Sequence, residues 1–405
     1  MTSLGRNREF NLLWTSQSLS DLGDGIASLA LALLVLTKTG SPVSAGLVGT
    51  ATEAARLLFR LPAGVLVDRV DRRRALLAAD AVRLIAFAAL TASVLTGRAG
   101  LALILAVAVV DAAASAVFST AEDASLRSIV PVEQLPAAVA RNEARSYGTA
   151  LAGPPLGGLL FGLGHAVPFA ANVVSSLVSI IAVSFIRKPL QAQREDKPQA
   201  YGAALAEGIR FVLTHPFLRA AMLVAAPLNF AITGVIFTVI VSLQRQDTAP
   251  AVIGLTETIV AAGGLLGAFA APAIQRRVGL VPLVRTLCWA AAALLATAAL
   301  LSSGLAAAIP VALTVFLGPA GNAALFGYQA AITPDRLQGR VISVIMVAAT
   351  SLAASAPLVA GALLAWQGPT TAILFFAAAV AASALTATLG TGLRWTEHPE
   401  PATVA

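Results

Sequence analysis

Apolar stretches of about 20 residues recur along the whole chain, and the breaks between them carry Pro, Gly or charged residues. A helix needs about 20 apolar residues to cross roughly 30 Å of hydrocarbon. Ten-residue segments of alternating polarity, typical of a membrane β-barrel, are absent from the sequence. The pattern predicts an all-α integral membrane protein with twelve transmembrane helices at 12–36, 43–67, 75–96, 99–121, 141–164, 166–187, 217–243, 251–274, 281–303, 306–331, 341–366 and 369–392.

The composition points the same way. Hydrophobic residues make up 58% of the chain and charged residues 12%, against roughly 45–50% and about 25% in soluble domains. The many small residues, 32 Gly among them, let helices approach closely in lipid and favour a packed bundle. A single cysteine, Cys288, excludes an intrachain disulfide. The three histidines are scattered near predicted helix ends, so we expect neither an enzyme nor a metal site.

The basic residues give the predicted orientation. Of the 27 Lys and Arg, 21 fall in breaks on one side of the predicted membrane and three on the other. The positive-inside rule then places both termini in the cytoplasm. These loops account for the net charge of +7, so no nucleic-acid partner is expected. Asp21 and Asp24 interrupt the first apolar segment, which predicts a retained helix rather than a cleaved signal peptide.

A polar linker at 188–216 divides the chain into an N-terminal six-helix bundle at 1–187 and a C-terminal one at 217–392, followed by a cytoplasmic tail at 393–405. The halves look like copies, because Pro131 and Pro334 lie 203 residues apart, as do Gly64 and Gly267. A parallel repeat of six helices, with a binding site near the midplane, is an architecture of secondary transporters.

A charged loop follows the second predicted helix. Its sequence from Gly64 to Arg73 resembles the motif Gly-x-x-x-Asp-Arg-x-x-Arg/Lys-Arg/Lys, which the major facilitator superfamily carries between helices 2 and 3. Five residues match the motif: Gly64, Asp68, Arg69, Arg72 and Arg73. The resemblance implies that Gly64 packs closely on a neighbour and that Asp68 meets a helix N-terminus and an arginine of the other half. The alternative is a basic loop that only sets topology.

The fifth predicted helix carries a second motif. Its residues resemble the Gly-Pro-x-x-Gly-Gly antiporter motif of the same superfamily: Gly153, Pro154, Pro155, Gly157 and Gly158. Proline removes a backbone donor, and glycine permits tight helix contact. The family has a further glycine four residues earlier, where this chain has Thr149. The alternative is small-residue packing without any bearing on coupling.

With Asp24 and the stretch from Pro131 to Asn142, these motifs make the chain similar to the drug-export branch of the superfamily, nearest the macrolide, tetracycline and enterobactin exporters. The resemblance implies two pseudo-symmetric six-helix bundles that work by alternating access. It also implies a proton gradient in place of a cofactor. We expect a monomer whose partners are protons, a small-molecule substrate and the lipid bilayer.

Two carboxylates stand out within the apolar segments. A charge at mid-membrane costs at least about 2.5–3.5 kcal/mol, which makes each one a functional candidate. Asp24 lies on the first helix and Asp111 midway along the fourth. The family lines its cavity with helices 1, 4, 7 and 10, so the resemblance implies that both carboxylates reach water and substrate. Asp24 is the first candidate to take up a proton there, and Asp111 is the second. The alternative is a carboxylate satisfied by neighbouring backbone or Arg.

Charged residues on the second helix form one stripe, because Glu53, Arg56 and Arg60 are spaced at i, i+3 and i+7. The simplest interpretation is a Glu53–Arg56 ion pair. The alternative is a switch, in which a proton or an anionic substrate competes for that pair. Glu257 occupies nearly the repeat-related position and is a candidate for the same role in the other half.

Four other polar residues lie within predicted helices. Asp80 and Arg83 are three residues apart on the third helix, which is peripheral in the family, so they are interpreted as a structural pair. Asn229 and Asn322 are candidate cavity contacts, with interhelical hydrogen bonding as the equal alternative.

Together these features favour a secondary active transporter that exports small lipophilic molecules by proton antiport. The sequence has no Gly-x-x-x-x-Gly-Lys-Ser/Thr loop, which argues against ATP-driven transport. Two alternatives remain open: transport of a nutrient, siderophore or lysolipid by the same fold, and a ligand sensor that transports nothing. The four acidic candidates favour cationic or neutral substrates: Asp24, Glu53, Asp111 and Glu257.

Overall fold

The computed structural model describes residues 4–191, 201–301, 304–334 and 337–390, and these residues form fourteen α-helices with short 3-10 turns. The first seven helices are α1 (Arg8–Thr39), α2 (Pro42–Arg69), α3 (Arg72–Leu95), α4 (Leu101–Ile129), α5 (Leu135–Leu163), α6 (Val167–Ser184) and α7 (Tyr201–Thr214). The others are α8 (Pro216–Arg245), α9 (Pro250–Arg277), α10 (Leu280–Leu300), α11 (Ala308–Ile332), α12 (Gln338–Ser351), α13 (Ala356–Trp366) and α14 (Gly368–Leu389).

Within the described ranges, ten spans are long and apolar enough to cross a membrane. α12 and α13 count together as one of them, although a 3-10 turn at Ala353–Ser355 interrupts the predicted span 341–366. α2 and α5 fall outside the ten, and both carry charged residues. The all-α membrane fold is confirmed, while the count of twelve crossings stays a prediction.

Local sequence fixes several helix ends. Asn7 caps α1 by accepting a hydrogen bond from the backbone N–H of Phe10 at 3.1 Å, and Asp71 caps α3 through Arg74 at 3.0 Å. Ser41 caps α2, whose first residue is a proline that already has a helical φ. Gly40 ends α1 with φ of 64°, a conformation that costs glycine little.

The linker contains a helix that we did not predict. Residues 188–216 were expected to form a polar linker, yet Tyr201–Thr214 is α7. It packs on α12, where Glu207 pairs with Arg340 at 2.5 Å and a Cβ on Gly208 would lie 3.0 Å from Arg340 Cβ. The polar run before α7 hid its helical pattern. Residues 192–200 of the linker, and the predicted tail at 393–405, lie outside the described residues.

The chain forms two compact units. Unit 1 comprises Met1–Arg194 with Leu243–Thr258, and unit 2 comprises Glu195–Ser242 with Ile259–Ala405. The core of unit 1 includes Phe10, Leu76 and Phe118. The core of unit 2 includes Phe217 and the buried Cys288.

Close helix packing in unit 2 depends on two glycines of α9. A Cβ on Gly263 would lie 2.8 Å from the carbonyl carbon of Ala312 in α11, and a Cβ on Gly267 would lie 2.8 Å from that of Phe316. Any larger residue would push the two backbones apart, as expected for small residues at a membrane helix interface.

Candidate functional site: a buried charge network in unit 1

The two carboxylates singled out in the sequence meet at one arginine. Arg83, on α3, is 1% exposed. Its Nε donates to Asp111 Oδ1 on α4 at 2.8 Å, and its Nη2 pairs with Asp24 Oδ1 on α1. Its Nη1 donates to Ser20 Oγ, one turn before Asp24. Three helices of unit 1 are therefore joined by a single guanidinium.

Asp80 lies further from the Arg83 guanidinium than Asp24 and Asp111 do. Its Oδ1 lies 3.9 Å from Arg83 Nη1, and its Oδ2 accepts a hydrogen bond from Ser179 of α6. The structural pair that we predicted between Asp80 and Arg83 is thus the longest of the arginine's ion pairs. Arg83 faces the core instead of the periphery. We call Ser20, Asp24, Asp80, Arg83 and Asp111 the Arg83 network.

The network holds more negative than positive charge when it is fully ionised, with three carboxylates around one guanidinium. An uncompensated charge that is buried costs several kcal/mol. A bound proton or a cationic ligand would reduce that excess. The Asp24 side chain is 19% exposed and that of Asp111 is 7% exposed, so Asp24 is the more accessible of the two. Ser115 also donates a hydrogen bond to Asp24 Oδ2 at 2.9 Å.

A second cluster lies on the same face of α1. Arg145 of α5 is buried and contacts Asp21 at 3.2 Å and Glu122 of α4 at 3.4 Å. We predicted a functional role for neither Arg145 nor Glu122 from the sequence. One clue to Glu122 was available, because this acidic residue directly follows the predicted apolar span 99–121 and lies within α4.

The ion pair predicted on α2 is confirmed: Arg56 Nη1 lies 2.9 Å from Glu53 Oε1. Both side chains are 40% exposed, so the pair is not enclosed in a dry core. Glu257, in the segment of α9 that belongs to unit 1, is half-buried and has no ion-pair or hydrogen-bond partner within the described residues.

The two candidate asparagines lie in unit 2, whereas the Arg83 network lies in unit 1. Asn229 is exposed on α8, and its Nδ2 donates to the carbonyl of Ala225 in the same helix at 2.9 Å. Asn322 is exposed on α11. The interhelical hydrogen bond considered for Asn229 is therefore replaced by a bond within its own helix.

The loop motif holds helix ends together within unit 1. Arg72 Nη1 donates to the carbonyls of Ala124 at 2.7 Å and Leu190 at 3.0 Å, while Arg73 donates to that of Ser184. A cation suits the position of Arg73, because Ser184 is the last residue of α6 and carbonyls at helix C-termini carry partial negative charge. Asp68 and Arg69 are exposed.

Within unit 1, the close packing expected at Gly64 is not found among the described residues. A Cβ built on Gly64 would meet none of their atoms within 4 Å. Its repeat counterpart Gly267 does pack closely, on Phe316.

The antiporter motif on α5 forms tight backbone contacts. A Cβ on Gly153 would lie 2.8 Å from Gly25 Cα, and a Cβ on Gly157 would lie 2.7 Å from the carbonyl oxygen of Ile26. On the other side, a Cβ on Gly158 would lie 2.8 Å from the carbonyl carbon of Pro250. The close helix contact predicted from these glycines is confirmed, and it presses α5 onto the part of α1 that carries Asp24.

Pro154 and Pro155 lie inside α5, and a Cβ on Gly254 would lie 2.7 Å from Pro155 Cα. Thr149, which replaces a family glycine, donates its hydroxyl to the carbonyl of Arg145 at 3.1 Å. A threonine can make this bond within its own helix turn, so the departure leaves the tight α1–α5 contact intact.

Comparison with known proteins identifies curated relatives that are efflux proteins. Macrolide efflux protein A of Streptococcus pyogenes is 23% identical over 263 residues, which are 64% of this chain and 65% of that protein. The multidrug efflux pump Tap of Mycolicibacterium fortuitum is 29% identical over 266 residues, which are 63% of this chain and 64% of Tap. The chain thus spans just under two thirds of the length of each relative.

Solved structures share the fold. A bacterial homologue of the human lysosomal transporter Spinster, in an inward-facing and occupied conformation, superposes with a TM-score of 0.74 at 15% identity, covering 99% of this chain and all of the other. A bacterial homologue of the iron transporter ferroportin gives 0.70 at 16% identity, covering 98% of this chain and all of the other. The family model MFS_3, described as transmembrane secretion effector, matches residues 3–402. The chain therefore belongs to this family of major facilitator transporters and is not an enzyme.

Proposed function

We propose that this protein exports small lipophilic molecules across the bacterial inner membrane by proton antiport with alternating access. The observation that carries the proposal is the buried Arg83, which Asp24 and Asp111 share. Its relatives are named for efflux of macrolides and of multiple drugs, which supports export as the direction.

The network supplies a site where a proton and a substrate can compete. With Asp24 and Asp111 ionised, both carboxylates hold the guanidinium and tie α1, α3 and α4 together. Protonation of one carboxylate removes its attraction for Arg83. The contacts between α1, α3 and α4 then rearrange, and a cationic or neutral substrate is released. Asp24 is the first candidate, because it is the more exposed. A proton that crosses the membrane gains about 2.3 kcal/mol per 100 mV, enough for modest accumulation.

We further propose that the proton gradient stands in for a cofactor, that both termini lie in the cytoplasm, and that the chain acts as a monomer. Arg72 and Arg73 keep the helix ends of unit 1 in place around the network. The half-exposed Glu53–Arg56 pair is a candidate switch, and Glu257 a candidate second proton site.

The test is an accumulation assay in an efflux-deficient bacterium that expresses wild type, Asp24→Asn, Glu143→Gln or an empty vector, at matched protein levels. The probes are macrolides, tetracyclines and lipophilic cationic dyes. We expect wild type to lower accumulation and Asp24→Asn to match the empty vector, because an amide cannot carry the proton. Glu143 is exposed on α5, so Glu143→Gln should match wild type.

Two outcomes would count against the proposal. Unimpaired pH-gradient-driven export by Asp24→Asn would remove Asp24 as the proton carrier. A wild type that equals the empty vector for every compound, while it is folded in the membrane, would exclude broad drug export and favour a narrow substrate or a sensor.

A further inference from the structure

The cluster around Arg145 is built as two matching halves. Asp21 receives one contact from Arg145 Nε at 3.2 Å and one from the amide of Gln17 at 3.1 Å. Glu122 receives one contact from Arg145 Nη1 at 3.4 Å and one from the amide of Asn142 at 3.1 Å. Each carboxylate thus contacts one nitrogen of the Arg145 guanidinium and one side-chain amide.

Charge does not balance within this cluster. Glu122 is 2% exposed and Arg145 is 9% exposed, and Asp21 is close enough to act electrostatically on Glu122. One arginine therefore faces two carboxylates, of which Glu122 is buried while the Asp21 side chain is 27% exposed. If both were ionised, one negative charge would remain uncompensated, at a cost of several kcal/mol. A single bound proton restores neutrality.

The other charges nearby do not supply the missing balance. Asp123, the neighbour of Glu122, hydrogen-bonds to it and acts on it more strongly than Asp21 does, although Asp123 is itself exposed and Arg60 of α2 acts on it. Arg83 acts on Asp21, yet it already faces the three carboxylates of its own network. The cluster of Asp21, Glu122 and Arg145 is left with one negative charge in excess.

The two amides suit both protonation states. Gln17 is 5% exposed, and its Oε1 has no hydrogen-bond partner among the described residues, although its Nε2 donates to Asp21. The Oδ1 of Asn142 is likewise buried and unpartnered. When the amide of an Asn or Gln side chain flips, its NH₂ donor and its C=O acceptor exchange positions. Each amide can therefore donate to a carboxylate, or accept from the same group once that group holds a proton.

We propose that Asp21 and Glu122, bridged by Arg145, form a second proton-binding site at which the two carboxyl groups share one proton. The proposal rests on the proposed proton antiport and extends it. Glu122 follows Asp111 by eleven residues on α4, which places it about 16 Å further along that helix, towards the predicted cytoplasmic side. The site is then a relay between the Arg83 network and the cytoplasm, and α1 links the two through Asp21 and Asp24.

The test is infrared spectroscopy of the purified full-length chain in lipid nanodiscs at neutral pH. A protonated carboxyl group gives a C=O stretch that shifts on transfer to D₂O. We expect Asp21→Asn and Glu122→Gln each to remove the same band, because either change leaves one carboxylate opposite one arginine. Glu143→Gln, an exposed carboxyl on α5, is the matched control and should leave the band unchanged.

A milder variant keeps the test valid if Asp21→Asn or Glu122→Gln misfolds. Asn142→Ala removes only the amide beside Glu122, so the band should shift in frequency while it keeps its intensity. The proposal is overturned if the band survives both carboxyl substitutions, is lost in only one of them, or is unmoved by Asn142→Ala. The spectrum needs neither substrate nor transport, so a failed export assay would leave this result standing, and the reverse also holds.

Discussion

The two units bury very different polar side chains. Among the described residues of unit 1, five charged ones are buried: Asp80, Arg83, Asp111, Glu122 and Arg145. In the described part of unit 2, the buried polar residues are all neutral: Thr238, Ser242, Thr314, Gln329, Thr333 and Ser383. Several of these satisfy themselves within their own helix, as Thr314 does by donating to the carbonyl of Pro310 at 2.9 Å.

The difference teaches that both units use close backbone packing, although at glycines that are not repeat counterparts, whereas buried charge occurs in unit 1. Both units bring helices together over glycines, at Gly153 in unit 1 and at Gly267 in unit 2. Among the described residues, the buried Asp, Glu and Arg side chains all lie in unit 1, and such charges are costly in a membrane and are retained where they serve a function. Glu257, expected to repeat the role of Glu53 in the second half, belongs to a segment that groups with unit 1.

The largest effect is expected at Arg83. Arg83→Leu leaves three carboxylates without their cation, and breaking a buried pair in this way costs about 3–5 kcal/mol. The free energy of unfolding in mixed micelles, from denaturant titration, measures the loss. Arg277→Gln, at an exposed arginine of unit 2, should stay within about 0.5 kcal/mol of wild type. Equal losses for the two variants would erase the distinction between the units.

An intermediate effect is expected at the packing glycines of both units, and it should be larger in unit 2. In Gly153→Ala the new Cβ would lie 2.8 Å from Gly25 Cα, whereas in Gly267→Ala it would overlap the carbonyl oxygen of Phe316. Overpacking of this kind costs about 1–3 kcal/mol, measured by the same titration.

The matched controls are Gly148→Ala in unit 1 and Gly318→Ala in unit 2, where a Cβ meets nothing within 4 Å. These two should be neutral or stabilising by up to about 1 kcal/mol, since alanine favours a helix over glycine. A loss confined to one unit would show that close packing is not a shared feature.

The smallest effect is expected for the exposed ion pairs. The Glu53–Arg56 pair in unit 1 and the Glu207–Arg340 pair in unit 2 have similarly exposed side chains. Such pairs contribute about 0.2–1 kcal/mol, which a double-mutant cycle for each pair measures. Similar coupling energies would show that burial, rather than charge itself, distinguishes the units. A coupling above 2 kcal/mol in unit 1 alone would contradict that explanation.

Most of the helices could be predicted because the hydrophobic pattern is local. The predicted span 75–96 corresponds to α3 (Arg72–Leu95), and 369–392 corresponds to α14 (Gly368–Leu389). The pattern fails where polar residues surround a short helix, as at α7, whose stability depends on its packing against α12.

The site was predicted only in part, because charge partners depend on contacts between distant residues. Asp24 and Asp111 stood out as carboxylates in apolar segments, and both meet Arg83. The importance of Arg83 itself was missed, since its neighbour Asp80 offered a local pair. Its hydrogen-bond partners Asp111 and Ser20 are 28 and 63 residues away in sequence, and no spacing rule connects them.

The burial of Cys288 in the core of unit 2 has a practical consequence. It is the only thiol in the chain and is 2% exposed, so a bulky maleimide cannot reach it while the protein is folded. The unmodified protein therefore gives no background reaction with thiol-directed labels while it is folded. A cysteine introduced at an exposed position such as Leu95 or Trp366 would carry a fluorophore or spin label alone. Movements during a transport cycle could then be followed without first removing a native residue.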